Sequence, residues 1–186
     1  MSMTQARLPA TVRVVASCVA ILALVGCQTG MRDPVVDQRT SVGTSRPVAM
    51  QTQVTLERRP CYGRCPTYVL SIAGDGSVVF DGRANVDSSR RVTSRVSPDS
   101  VASLVRLMEG RKFLTLPDRY AYGVPGCEPY YTDAPLVITS LSSGDRTKRV
   151  EHDQGCSGAP ASLISMENRI DEIAQSWRWI NGRPPD

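Results

Sequence analysis

The hydrophobic pattern changes period along the chain, and each change predicts an element. Residues 14–25 form a run of apolar and small side chains preceded by Arg7 and Arg13. Over 28–51 no period survives. Gly30, Pro34, Gly43 and Pro47 lie among Thr, Ser, Gln and Arg, which predicts a solvated linker. Residues 54–58 alternate apolar and polar, as a half-exposed strand does, and Pro60 ends it. Residues 68–72 predict a second strand and 77–80 a third. Between them Gly74-Asp75-Gly76 carries the Asp-Gly step whose positive φ angles suit a two-residue hairpin turn. Residues 92–96 extend this antiparallel meander by a fourth strand.

At Ser97 the period shifts from 2 to 3.6. Ser97 suits an N-cap, Pro98 the first helical position and Asp99 the positive end of the helix dipole. Val101, Leu104, Val105 and Met108 then share one helical face, and Gly110 is the expected stop. Residues 117–135 are irregular. Residues 136–141 and 147–151 predict a hairpin across Ser143-Gly144-Asp145. Leu163, Met166, Ile170, Ile173 and Trp177 recur at three- and four-residue steps. They predict a helix over 159–175 that closes the core, with Trp177, Trp179 and Ile180 pinning its end. The sum is an α+β fold: a mostly antiparallel sheet with two packing helices.

The run at 14–25 has signal-peptide length and is short for a membrane span. It ends in Leu24-Val25-Gly26-Cys27, which resembles the bacterial lipobox. That resemblance implies cleavage after Gly26 and a diacylglycerol on the Cys27 thiol. Each buried CH₂ adds about 0.8 kcal/mol, so two or three acyl chains make a durable anchor where one is marginal. Gln28, rather than Asp, follows the cysteine, and the sorting pattern of enteric-type bacteria then implies the outer membrane, on its periplasmic side. The expected organisation is a signal peptide over 1–26, a lipidated tether over 27–51, a domain over 52–181 and a tail over 182–186.

Charge narrows the partners. The chain holds 22 basic and 18 acidic residues; loss of Arg7 and Arg13 with the signal leaves 20 basic ones and a balance of +2. That is too small for a nucleic-acid binder, and apart from the short Arg90-Arg91 pair no basic run interleaves with aromatics.

Of six cysteines, Cys18 leaves with the signal and Cys27 carries lipid, so Cys61, Cys65, Cys127 and Cys156 remain. An even count in an exported domain predicts disulfides, with three possible pairings. Cys61 with Cys65 and Cys127 with Cys156 is preferred, because a short loop carrying Gly63 brings its ends together locally. On loop-closure entropy the short link stabilises by about 2 kcal/mol and the long one by about 3.6 kcal/mol. A redox pair at Cys61 and Cys65 is the alternative, but the spacing has one residue more than C-x-x-C and lies between strands. A zinc site built from Cys61, Cys65, His152 and Cys156 has suitable ligand types, yet it leaves Cys127 unused in an oxidising compartment. His152 otherwise reads as a surface residue beside Asp153.

No G-x-S-x-G elbow, H-E-x-x-H or phosphate loop is present. Glu57, Asp75, Asp118, Glu128 and Asp133 offer carboxylates, but their spacing singles out no pair. No cofactor and no metal are therefore expected. The six tyrosines cluster near the cysteines, and Tyr62, Tyr120, Tyr122, Tyr130 and Tyr131 are the candidate contact residues for an envelope protein or glycan.

Leu56-Glu57-Arg58, then Cys61-x-Gly63-x-Cys65-Pro66-x-Tyr68, the Asp75-Gly76-Ser77-Val78 turn and the segment from Gly155 to Pro160 resemble a family of bacterial lipoproteins known only as a domain of unknown function, of the DUF6438 type. The resemblance spans 54–180 and carries over no catalytic residue. The expectation is a lipid-anchored envelope domain with a non-catalytic binding or structural role. The alternative is a thiol-disulfide or metal-dependent enzyme using Cys61 and Cys65.

Overall fold

A computed structural model describes residues 51–183. The expected signal peptide, Cys27, the tether before Gln51 and residues 184–186 lie outside the described residues.

Seven strands form one sheet in the order β4-β3-β2-β1-β6-β7-β5. They are β1 Gln53–Arg58, β2 Thr67–Ala73, β3 Ser77–Ala84, β4 Arg91–Arg95, β5 Arg119–Tyr120, β6 Leu136–Ser143 and β7 Arg146–Asp153. All pairings are antiparallel except β5 with β7, a two-residue parallel pair in the stretch expected to be irregular. β1 is the central strand. It pairs with β2 on one side and β6 on the other, so Leu56 faces Leu70 and Thr139.

The first hairpin departs from the expected two-residue turn. Gly76 N–H donates to Ala73 O (2.9 Å), and Gly76 has φ +86° while Asp75 does not have positive φ. This is a three-residue loop whose last position needs glycine. A Cβ there would also meet Val96 O at 2.2 Å. The β6–β7 hairpin pairs Ser143 with Arg146 and closes through Gly144-Asp145, with Gly144 at φ +62°.

Strand alternation sends Val54, Leu56, Leu70, Ile72, Phe80 and Leu141 to one face, all buried. Two helices cover that face: α1 Pro98–Gly110 and α2 Ala161–Ala174. The Ser97 hydroxyl accepts the Asp99 N–H, as an N-cap should, and Val101, Leu104 and Met108 are buried. The helix stops at Gly110 as expected, but Gly110 is its last helical residue, and Lys112 takes the left-handed conformation (φ +59°). Helix α2 starts two residues later than expected and buries Leu163, Met166, Ile170 and Ala174. A short α3, Trp177–Ile180, follows Gln175 and places Trp179 5.1 Å from Phe80, ring to ring. Each large apolar side chain buried here contributes about 1.5–3 kcal/mol, which is what holds the two layers together. None of the described helices is long and apolar enough to cross a membrane.

Two disulfides fasten the connections, Cys61–Cys65 across four residues and Cys127–Cys156 across 29. Loop-closure entropy ranks them. Replacing Cys127 and Cys156 together by Ala should lower unfolding stability by about 3–4 kcal/mol, against about 2 kcal/mol for Cys61 and Cys65. Urea unfolding of the two double variants checks the order, and equal losses would refute it.

Candidate functional site

The antiparallel register brings the end of β1, the starts of β2 and β6 and the end of β7 to one end of the sheet. All four cysteines lie there. The Cys61–Cys65 loop folds against the segment before β6, because Tyr62 N–H donates to Asp133 O (3.2 Å) and Arg59 N–H to Leu136 O (2.9 Å). That segment is sewn to the chain after β7 by the second disulfide, by Tyr131 N–H to Gly155 O (2.8 Å) and by a bridge between Tyr130 and Cys156. The approach is too close for side chains at two positions. A Cβ on Gly155 would lie 1.9 Å from Tyr131 O, and one on Gly158 would lie 1.5 Å from Gly126 O. The Gly-Cys-x-Gly spacing is therefore a packing requirement.

Tyrosines stand on and beside the stapled loops: Tyr62 within 61–65, Tyr131 within 127–156, and Tyr122 ahead of Cys127. Tyr62, Tyr122 and Tyr131 are 88%, 77% and 62% exposed. Tyr130 is half-buried. Its ring lies edge-on to Tyr122 at 5.2 Å and its hydroxyl donates to Asp153 (2.6 Å). That hydrogen bond, with partial burial, pushes the Tyr130 hydroxyl above its ordinary pKa, so it stays a donor. Tyr120 stands apart on β5, its ring edge-on to His152. Tyr68 is buried and belongs to the layer beneath.

That layer is polar. Arg58 on β1 donates to the Asp171 carboxylate of α2 through Nε (2.9 Å) and Nη2 (2.7 Å). Tyr68 Oη and Ser176 Oγ each donate to the other Asp171 oxygen at 2.7 Å. Burial opposes the Arg58 charge, but Asp171, Tyr68 and Glu167 outweigh it and hold the guanidinium above its ordinary pKa. Burial and then the Asp171 charge push the Tyr68 hydroxyl well above the usual tyrosine value. One turn earlier on α2, Glu167 accepts His152 Nδ1 at 2.9 and 3.0 Å, with both residues 1% exposed.

His152 is thus a core residue, contrary to the surface position expected for it. Its strand parity matches Val150, so it faces the helices, and Glu167 satisfies it there. The sequence carries the signal: Glu167 and Asp171 fall on the stripe of Leu163, Ile170 and Ala174, opposite inward positions of β7 and β1.

Both cysteine pairs are bonded, and Cys61–Cys65 joins two strands rather than opening a helix whose dipole would favour a thiolate. Glu57 pairs with Arg59 and Arg83, Asp75 accepts from Ser77 in the first turn, and Asp118 pairs with Lys148. Glu128 and Asp133 lie in the loop before β6. Among the described residues no three His, Cys, Asp or Glu side chains form a metal-binding group.

The family described as a domain of unknown function (DUF6438) matches residues 52–174, more than half of the chain. The match runs from the first strand to the end of α2 and contains all four paired cysteines. No curated protein matches the chain.

The buried network predicts two outcomes. Asp171→Ala strands the Arg58 guanidinium and should cost about 3–5 kcal/mol in denaturant unfolding. Tyr68 gives an alkaline limb. Its folded pKa is raised, so its contribution is complete below the unfolded value of about 10 and falls as pH rises beyond it, because only the unfolded chain then gives up the proton. Stability measured from pH 8 to 11 should decline less in Tyr68→Phe than in the parent; parallel curves would refute the assignment.

Proposed function

The chain belongs to the DUF6438 family, and from that premise we propose that it is a lipid-anchored cell-envelope protein whose domain is a non-catalytic binding module. The observation that carries this reading is the exposure of Tyr62 and Tyr131 on two disulfide-closed loops and of Tyr122 just ahead of the second. Tyrosines recruited to fill the core look like Tyr68, which is 1% exposed. Three large rings left in solvent lose apolar hydration only when a partner covers them. Tyrosine has few rotatable bonds, and the staples order the loops in advance, so little conformational entropy is lost on contact. Such a surface suits an envelope protein or a glycan.

The anchor is supported by Leu24-Val25-Gly26-Cys27 and by the paired cysteines, which suit an exported compartment. In this reading Cys27 carries the lipid, the outer membrane holds it, and the domain faces the periplasm. Radiolabelled palmitate should enter the parent chain and not Cys27→Ala.

Photo-crosslinking in cells tests the binding surface. A crosslinking residue at Tyr122 or Tyr131 should give a discrete envelope adduct, and one at the exposed Ile164 of α2 should not. The adduct should fall at least about tenfold when Tyr62 and the unlabelled member of the Tyr122/Tyr131 pair become Ala, as expected for loss of interface hot spots. A folded protein with no adduct, or one insensitive to those changes, removes the proposal.

A further inference from the structure

The sheet face opposite the helices has no described element packed on it, and its chemistry differs from that of the covered face. Strand register gives it a centre of small and aliphatic groups, Thr55, Ser71 and Ser140 with Val69 and Val79, and with Ile138 buried between Glu57 and Glu151 on the neighbouring strands. Arginines stand around that centre. Arg91 and Arg95 lie on edge strand β4, Arg119 on the opposite edge strand β5, Arg149 on β7, Arg83 on β3 and Arg59 just past β1. Each is exposed.

The facing carboxylates are fewer. Glu57 is shared by Arg59 (3.0 Å) and Arg83 (3.3 Å), Glu151 by Arg149 (2.6 Å) and Arg119 (3.8 Å), and Asp81 sits opposite Arg91. At the margins Asp75 accepts from Ser77 and pairs with Arg95 (4.0 Å), and Asp153 accepts from Tyr130 and the Gly155 amide. The hydrogen bond from Arg149, with Arg119 and Arg59 behind it, outweighs partial burial and keeps the Glu151 carboxyl below its ordinary pKa. These ion pairs orient the guanidinium groups and leave further N–H donors free. Beside them a cleft of about 450 Å³ is lined by Asp118, Arg119, Thr147, Lys148, Arg149 and Glu151, in which Lys148 is paired with Asp118.

Seven strands at about 4.8 Å spacing make this face about 30 Å wide, with arginines at both edges. A small anion would meet one cluster. A surface of repeated anions meets them all, and guanidinium groups match phosphate oxygens two at a time. We propose that the uncovered sheet face docks on an anionic phospholipid surface, its edge arginines holding headgroup phosphates while the small central residues allow close approach. This goes beyond the tyrosine surface, which lies on the loops at the end of the sheet; it rests on the tethered reading only for proximity. A chain from Cys27 to Gln51 reaches at most about 85 Å, so a tethered domain stays beside its membrane.

The test uses the mature chain from residue 28, produced without lipid, so that neither an acyl chain nor the apolar run contributes. At about 50 mM salt it should sediment with phosphatidylglycerol-containing vesicles and not with phosphatidylcholine ones, and salt near 0.5 M should release it. The variant R91Q/R95Q/R119Q/R149Q should lose about tenfold or more in partition. E57Q/E151Q, which removes the competing carboxylates, should gain, an outcome that misfolding does not mimic. R106Q/R111Q/K112Q/R169Q, on the helix side, should bind as the parent does. Equal binding to neutral vesicles, equal loss in the helix-side variant, retention by an acidic polysaccharide but not by vesicles, or self-association through this face each overturn the proposal. Palmitate labelling of Cys27 reads the anchor separately, so failure of one does not imitate failure of the other.

Discussion

The Asp171 carboxylate is the constraint on which the rest depends. It receives the half-buried Arg58 from β1 and the buried Tyr68 from β2 and Ser176 from the turn after α2. Burying a guanidinium is expensive unless its partner is placed and hydrogen-bonded, so the helix has one acceptable position on the sheet. The neighbouring His152–Glu167 pair applies the same condition two strands away on β7. Helix α2 therefore crosses β7, β1 and β2 in turn, and α3 continues to Phe80 on β3. Apolar packing supplies the stabilisation of this interface; the polar contacts supply its register.

The residues that carried the family resemblance acquire a physical account from that arrangement. Arg58 and Tyr68 bracket the Cys61–Cys65 loop and converge on one carboxylate below it. The glycines flanking Cys156 let two loop backbones touch. The segments that look like a motif along the chain form the base and the stitching of one end of the molecule. The tyrosines stand on that base, outside it.

The sheet divides the molecule into unlike surfaces. One face is closed by helices, one end displays aromatic rings on and beside stapled loops, and the other face is left to arginines, serines and threonines. Between the layers the apolar side chains of α1 and α2 pack on those of the sheet.

The sequence by itself determined the elements that depend on local period and local chemistry. The Val54–Leu56 alternation, the Ser97-Pro98-Asp99 cap, the Leu163–Ile170 stripe and the even cysteine count each carry their own signal, and together they specify an α+β fold with staples. Tertiary structure decided what no local period contains. The parallel pairing of β5 has only two residues, too few to show a pattern. Lys112, not Gly110, turned left-handed because the helix runs on through Gly110 before the chain reverses. His152 looked like a surface residue beside Asp153, and it became a core residue because a glutamate 15 positions later lies above it. A polar side chain is assigned to core or solvent by whether a partner is waiting, and for His152, Arg58 and Tyr68 that partner comes from a helix more than a dozen residues away.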